Sequence, residues 1–145
     1  MELVPVKKEL AENVEFLADP LCDETLRMTV DFYGRTGFVP PWICYYAKMD
    51  GVLVGSAGYK GAPVNGSIEI AYGTFEPYRK QGVGTAICRE LVALALHTDP
   101  SVRITARTLP EKNFSTRILE KNNFKFIGTV IDPEDGEVWE WEYSK

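Results

Sequence analysis

Residues 67–97 constrain the fold more than any other stretch of this chain. Up to Phe75 the pattern has the two-residue period of a strand. Ile68, Ile70 and Tyr72 share one direction, and Glu69 points away from them. After Pro77 the period changes. Ile87, Leu91, Leu94 and Ala95 mark a helix over roughly 83–97 that is apolar on most of its circumference. A helix of that kind must be covered on most sides, which calls for a sheet beneath it and further elements around it.

The rest of the chain supplies those elements. Residues 2–6 read as a short strand. Leu10, Val14 and Leu17 give a helical spacing over 7–18 that Asp19-Pro20 breaks. Leu26, Val30 and Tyr33 repeat it over 23–34. Gly37-Phe38-Val39-Pro40-Pro41 is then a stiff loop. Residues 42–48 and 52–59 form a hairpin about Asp50-Gly51, and a second loop, Gly61 to Gly66, leads into the strand 67–75. Beyond the apolar helix, Val102, Ile104 and Ala106 alternate with Arg103, Thr105 and Arg107 in a half-buried strand. A short helix near 113–122 precedes a strand at 124–131. After the turn Asp132-Pro133-Glu134-Asp135-Gly136, Trp139 to Tyr143 alternates as a last strand, expected at a sheet edge. The order is β-α-α-β-β-β-α-β-α-β-β. It predicts an α/β (α+β) fold in one domain, 1–145, with helices on both faces of the sheet.

Composition narrows the function. No apolar run approaches the ~18 residues of a membrane span, and the start Met1-Glu2-Leu3-Val4-Pro5 carries no signal-peptide pattern. Cys22, Cys44 and Cys88 form no CxxC pair and read as buried thiols, which suits a cytoplasmic location. One histidine, His97, excludes multi-histidine metal sites, so no metal is expected. The net charge of -5 hides an asymmetry: residues 79–125 hold nine bases against four acids, while residues 1–31 hold eight acids against three bases. An anion handled by the first segment and a cation by the second fit that split. Net acidity and the lack of a compact Lys/Arg run argue against a nucleic-acid partner.

The chemistry-bearing segment is Phe75-Glu76-Pro77-Tyr78-Arg79-Lys80-Gln81-Gly82-Val83-Gly84-Thr85-Ala86. A strand ends, a turn follows, and glycines open a helix. Free N–H groups of the first helical turn and the helix dipole make an anion cradle there, and Arg79 and Lys80 add positive field. It is neither a P-loop nor a complete dinucleotide fingerprint. Gly82 and Gly84 are equally explained by close packing of helix on strand.

Arg79-Lys80-Gln81-Gly82-Val83-Gly84 resembles the Q/R-x-x-G-x-G/A signature of the GNAT superfamily of acyl-CoA-dependent N-acyltransferases. Downstream, Thr108 to Phe124 resembles the family's N-x-S…LEK-x-GF segment, closest to the branch with ribosomal-protein alanine acetyltransferases. The element order matches along nearly the whole chain. The resemblance implies a mixed sheet of about seven strands that opens between 67–75 and 102–108. Acetyl-CoA would lie in that opening as co-substrate, with its pantetheine along Gly73, Thr74 and Phe75. Its pyrophosphate would meet Gln81, Gly82, Val83, Gly84 and Thr85, beside Arg79 and Lys80. Asn113 and Ser115 would face the pantetheine or thiol, and Lys121 an adenosine phosphate. Two departures stand out. Asn123 replaces the family's Gly, and Leu119 occupies the place where many members carry a tyrosine general acid.

Amine acetylation needs a base for the ammonium proton and a proton for the leaving thiolate. Glu69, on the strand that should line the opening, is the candidate base. Ser115 is the candidate acid, with helix capping as its alternative role. The acceptor reads as a small primary amine or a peptide N-terminus, approached past the acidic residues 1–31 and an aromatic wall of Phe38 and Trp42. The family allows a homodimer. A non-catalytic acyl-CoA-binding module is the alternative.

Overall fold

A computed structural model describes residues 1–145. Seven strands form one sheet: β1 (Glu2–Pro5), β2 (Cys44–Met49), β3 (Val52–Tyr59), β4 (Ser67–Thr74), β5 (Arg103–Thr108), β6 (Phe124–Asp132) and β7 (Gly136–Tyr143). Their spatial order is β1-β2-β3-β4-β5-β7-β6. Only β4 and β5 run parallel. Four helices cover the sheet: α1 (Val14–Leu17), α2 (Asp23–Thr36), α3 (Val83–Thr98) and α4 (Phe114–Lys121).

Consecutive tyrosines of β2 show how the two faces are assigned, because neighbouring residues of a strand point to opposite sides. Tyr46 reaches Thr25 Oγ1 of α2 at 2.7 Å and stacks on Phe16 of α1. Tyr45 instead meets the ring of Tyr59, whose hydroxyl donates to the Leu91 carbonyl of α3 at 2.6 Å. So α1 and α2 lie on one face, α3 on the other. The apolar circumference of α3 is spent as expected: Val83, Ile87, Cys88, Leu91, Val92 and Ala95 are buried. Helix α4 packs beside it, through Ile118 against Gly84.

Two sequence expectations change. The helix over 7–18 is instead a 3-10 turn, Leu10–Glu12, followed by the single turn of α1. Asn13 divides them. Buried, it accepts from Lys7 N–H at 2.7 Å and donates to the Lys7 and Glu9 carbonyls. The resulting turn of the chain buries Phe16 and leaves Val14 71% exposed. The last strand is interior, not an edge. The tight turn after Asp132 inserts β7 between β5 and β6, where Glu140 and Glu142 face Arg107 and Arg103 of β5. The edges are β1 and β6.

Candidate active site

The sheet parts in its middle. Strands β4 and β5 pair from Ser67↔Arg103 to Ile70↔Ala106 and no further, although β4 continues to Thr74 and β5 to Thr108. Beyond the parting, β4 stays paired with β3, through Gly58↔Ala71 to Gly55↔Thr74. The Glu69 carbonyl accepts from Lys60 N–H and the Phe75 N–H donates to Val54. Odd-numbered residues of β4 therefore turn their backbone groups to β3. By alternation, Tyr72 and Thr74 turn theirs into the opening. Gly73 and Phe75 frame them, and Phe75 packs on Tyr46.

The cradle lies at the end of this strand. Lys80 (φ 66°) and Gly82 (φ 79°) both take left-handed backbone, which turns the chain sharply into α3. No side chain caps α3, and the first N–H to find a helical partner is that of Ala86, on the Gly82 carbonyl. The amides of Val83, Gly84 and Thr85 are thus free to meet an anion. The two glycines divide the roles that the sequence left joined. A Cβ on Gly82 would enter open space, but its φ disfavours any side chain. A Cβ on Gly84 would lie 2.8 Å from Ile118 Cδ1, so that glycine serves the contact of α3 with α4. Arg79 Nε stands 3.4 Å from the Thr74 carbonyl, and Gln81 reaches back to Pro77. Asn122, which the sequence reading passed over, donates to the Thr85 carbonyl at 3.2 Å and ties the end of α4, with exposed Lys121, to this turn.

A cavity of about 290 Å³ lies at the parting, lined from β4, β5, α4 and the β6–β7 turn. Ser115 and Leu119 of α4 line it on one side. Lys60, Glu69 and Arg107, with Asp132 and Asp135 of the β6–β7 turn, line it on the other. Glu69 and Ser115, chosen from separate segments, so meet in one space. Asn113 takes the capping role: its side-chain oxygen accepts from Thr116 N–H at 3.2 Å. Ser115 is not needed there. Leu119, 1% exposed, offers the cavity no proton. Trp42 and Phe38, expected as an acceptor wall, pack inward on Tyr59 and Tyr33.

The charged side of the cavity is a network. Glu69 Oε2 is 2.7 Å from Lys60 Nζ, and Glu69 Oε1 is 3.7 Å from Arg107 Nε. Arg107 also meets Glu140 at 3.3 Å and Asp132 at 2.9 Å. Asp132 holds the turn as well, accepting from Glu134 and Asp135 N–H groups at 2.9 and 3.2 Å. Those backbone donors, the Glu134 amide foremost, together with Arg107, pull its carboxyl down to about 2. Lys60, Arg107 and Asp132 were absent from the sequence-based site. The parity that selects Glu69 selects Arg107 too, since Glu69 pairs with Thr105 in register. The three cysteines are free, and burial raises Cys22 to about 12, Cys44 to about 11 and Cys88 to about 12. None offers a thiolate at neutral pH. No group of three or more His, Cys, Asp or Glu side chains is placed to hold a metal ion.

A family profile described as "Acetyltransferase (GNAT) domain" matches residues 2–125. The chain belongs to the GNAT acetyltransferase family. An uncharacterized N-acetyltransferase of Bacillus subtilis (strain 168), YjdG, is 32% identical to it over 112 residues, 76% of this chain. The match spans 62% of that relative's own length. Among solved structures, aminoglycoside acetyltransferase AAC(6')-Ib in complex with coenzyme A and kanamycin aligns with a TM-score of 0.69 at 23% identity, over 93% of this chain and 83% of its own. A chimera of the spermidine N-acetyltransferase SpeG from Vibrio cholerae and hSSAT aligns at 0.71 and 10% identity, over 99% and 95%. The ribosomal-protein-alanine N-acetyltransferase of Brucella melitensis aligns at 0.66 and 17%, over the full length of both chains. These likenesses show that the GNAT fold extends over the whole chain, β6 and β7 included.

Proposed function

We propose that this GNAT chain transfers an acetyl group from acetyl-CoA to a primary amine. The observation that carries the reading is the cavity at the β4–β5 parting, which Glu69 and Ser115 both line, together with the uncapped start of α3 that follows β4. The cradle fits a pyrophosphate, because free amides and open space meet there under a positive helix end. Backbone groups of Tyr72 and Thr74 would hold the pantetheine arm as an added strand would be held. Acetyl-CoA supplies the activated acyl group. Within the chain, Glu69 takes the proton of the acceptor's ammonium and Ser115 returns one to the leaving sulfur.

For the acceptor, we propose a cationic small amine or a peptide N-terminus. Three carboxylates on the cavity wall (Glu69, Asp132, Asp135) face two cations (Lys60, Arg107), so the wall holds an excess negative charge. That acidity comes from the β6–β7 turn rather than from residues 1–31. Neighbours whose names carry aminoglycoside and spermidine substrates support a polyamine-like acceptor. The reading includes a single domain over 1–145 and a cytoplasmic location, supported by three free thiols. It also includes a homodimer, supported by exposed Phe126, Ile127 and Ile131 on edge strand β6. No helix is long and apolar enough to cross a membrane.

One observation favours a second reading, a non-catalytic acyl-CoA-binding module: Glu69 is already held by two cations. CoA release across a panel of spermidine, kanamycin and a peptide with a free N-terminus separates the two. Turnover of any of them supports the enzyme. Acetyl-CoA binding without turnover of any supports the module. No acetyl-CoA binding by calorimetry at millimolar concentration defeats both.

A further inference from the structure

The side chain nearest the proposed base is itself a primary amine. Lys60 Nζ lies 2.7 Å from Glu69 Oε2, and Lys60 lines the same cavity as Ser115. An acceptor must bring its nitrogen within hydrogen-bond reach of the base, at about 2.6–3.2 Å. Lys60 meets that condition with no acceptor present. Its position follows from the fold: Lys60 extends β3 opposite Glu69, and its N–H donates to the Glu69 carbonyl at 2.9 Å. The hairpin thus carries the amine and the base on adjacent strands of one face.

From this geometry we infer that Lys60 is a self-acetylation site, modified by the chain's own bound acetyl-CoA when no acceptor occupies the cavity. The inference rests on the acetyl-transfer reading and on Glu69 as its base. The ammonium of Lys60 gives one proton to Glu69. The freed lone pair forms an N–C bond with the thioester carbonyl carbon. The C–S bond breaks, and its electron pair leaves on sulfur. The second nitrogen proton goes to the thiolate, through Ser115 or water, giving CoA thiol, and Glu69 releases its proton to solvent. The products are an acetamide at Lys60, one CoA and one proton per chain. Tethering makes the step unimolecular, with the high effective concentration of an intramolecular nucleophile. Acetylation also removes the charge of Lys60 and so takes one of the two cations from Glu69.

Lys48 is the internal control. It too is ion-paired, to Glu15 at 3.0 Å, but it lies outside the cavity. Purified full-length protein is incubated with acetyl-CoA and no amine, and peptide mass spectrometry follows each lysine with time. We expect Lys60 to gain one acetyl group at least ~10-fold faster than Lys48, at a rate independent of protein concentration. Glu69→Gln should slow Lys60 labelling by ~10²-fold or more. If that variant does not fold, the wild-type ratio of Lys60 to Lys48 decides alone. Labelling of Lys60 no faster than Lys48, or at a rate proportional to protein concentration, overturns the inference. CoA release with the amine panel, measured in parallel, keeps the two failures apart. Amine turnover with Lys60 unlabelled removes the self-acetylation site and leaves the acetyl-transfer reading. Neither release nor label removes both.

Discussion

The cradle and the cavity wall are built on different principles. On the α3 side, recognition rests on backbone: free amides of Val83 to Thr85, left-handed Lys80 and Gly82, and the outward groups of Tyr72 and Thr74. On the Glu69 side it rests on side chains: Lys60, Glu69, Arg107, Asp132 and Glu140 hold one another in a chain of ion pairs. A backbone cradle needs only a strand, a turn and a helix in sequence. A side-chain network needs β4, β5, β6, β7 and the end of β3 brought together. The first can be written in a dozen consecutive residues, and the second cannot.

The comparison breaks first at the base. Glu69→Gln removes the proton acceptor but leaves the cradle intact. We expect kcat to fall ~10²–10⁴-fold, with acetyl-CoA affinity unchanged. Stopped-time assays and calorimetry on the same preparation check both halves. Equal loss of kcat and of acetyl-CoA binding would show that the cradle and the cavity wall do not act separately. The reciprocal change is Gly82→Asp. It puts a side chain at φ 79° and a negative charge where phosphate should sit. Acetyl-CoA affinity should drop by about 100-fold, some 2.8 kcal/mol at 1.4 kcal/mol per decade, while the left-handed backbone should cost about 1 kcal/mol of ligand-free stability. Binding as tight as wild type would remove the cradle from the reading.

The same division explains what the sequence made legible. The parity of Ile68, Glu69 and Ile70 made it legible that Glu69 faces away from the two isoleucines, where it meets Lys60 and Arg107, because alternation is local. The glycine turn was legible for the same reason, although only structure separates Gly82, which shapes the turn, from Gly84, which admits Ile118. Arg107 and Asp132 stand 25 residues apart, and Arg107 and Glu140 stand 33 apart. No short-range pattern announces such partners. The interior place of β7 was hidden likewise, since alternation of Trp and Glu reads as one exposed face. The Glu residues in fact meet arginines of β5. At α1, spacing failed because a single buried side chain, Asn13, redirects the backbone and turns Phe16 inward.

A smaller effect sharpens the network side. Asp132 has its carboxyl held near 2 by the Glu134 and Asp135 amides and by Arg107, below the ordinary ~3.9 of the unfolded chain. A lowered folded value stabilises the fold above about pH 4, and the contribution fades as pH falls from about 4 to about 2. Asp132→Asn should therefore destabilise the protein at neutral pH and flatten the acid limb of its stability curve over that window. Urea melts at pH 2, 3, 4 and 7 measure both. An acid limb as steep as wild type would take Asp132 out of the clamp.

The smallest effect tests the two residues at the start of α4. Asn113 caps the helix: its side-chain oxygen accepts from Thr116 N–H, and Thr116 Oγ1 accepts from Asn113 N–H in return. Ser115 lies two residues on, without a capping bond, and lines the cavity. Sequence alone offers the same hydroxyl as a cap or as an acid. The structure gives the cap to Asn113 and so frees Ser115. Asn113→Ala should cost about 1 kcal/mol of stability, the usual loss of an N-cap. Ser115→Ala should leave stability within ~0.5 kcal/mol, as for a position with no structural bond to lose. In activity, Ser115→Ala should lower kcat by less than ~10-fold, well below the ~10²–10⁴ of a general base, because water can protonate a departing thiolate. Paired denaturant melts and initial rates decide it. If Ser115→Ala destabilises as much as Asn113→Ala and leaves kcat unchanged, the hydroxyl is structural, and the proton for the leaving sulfur comes from solvent.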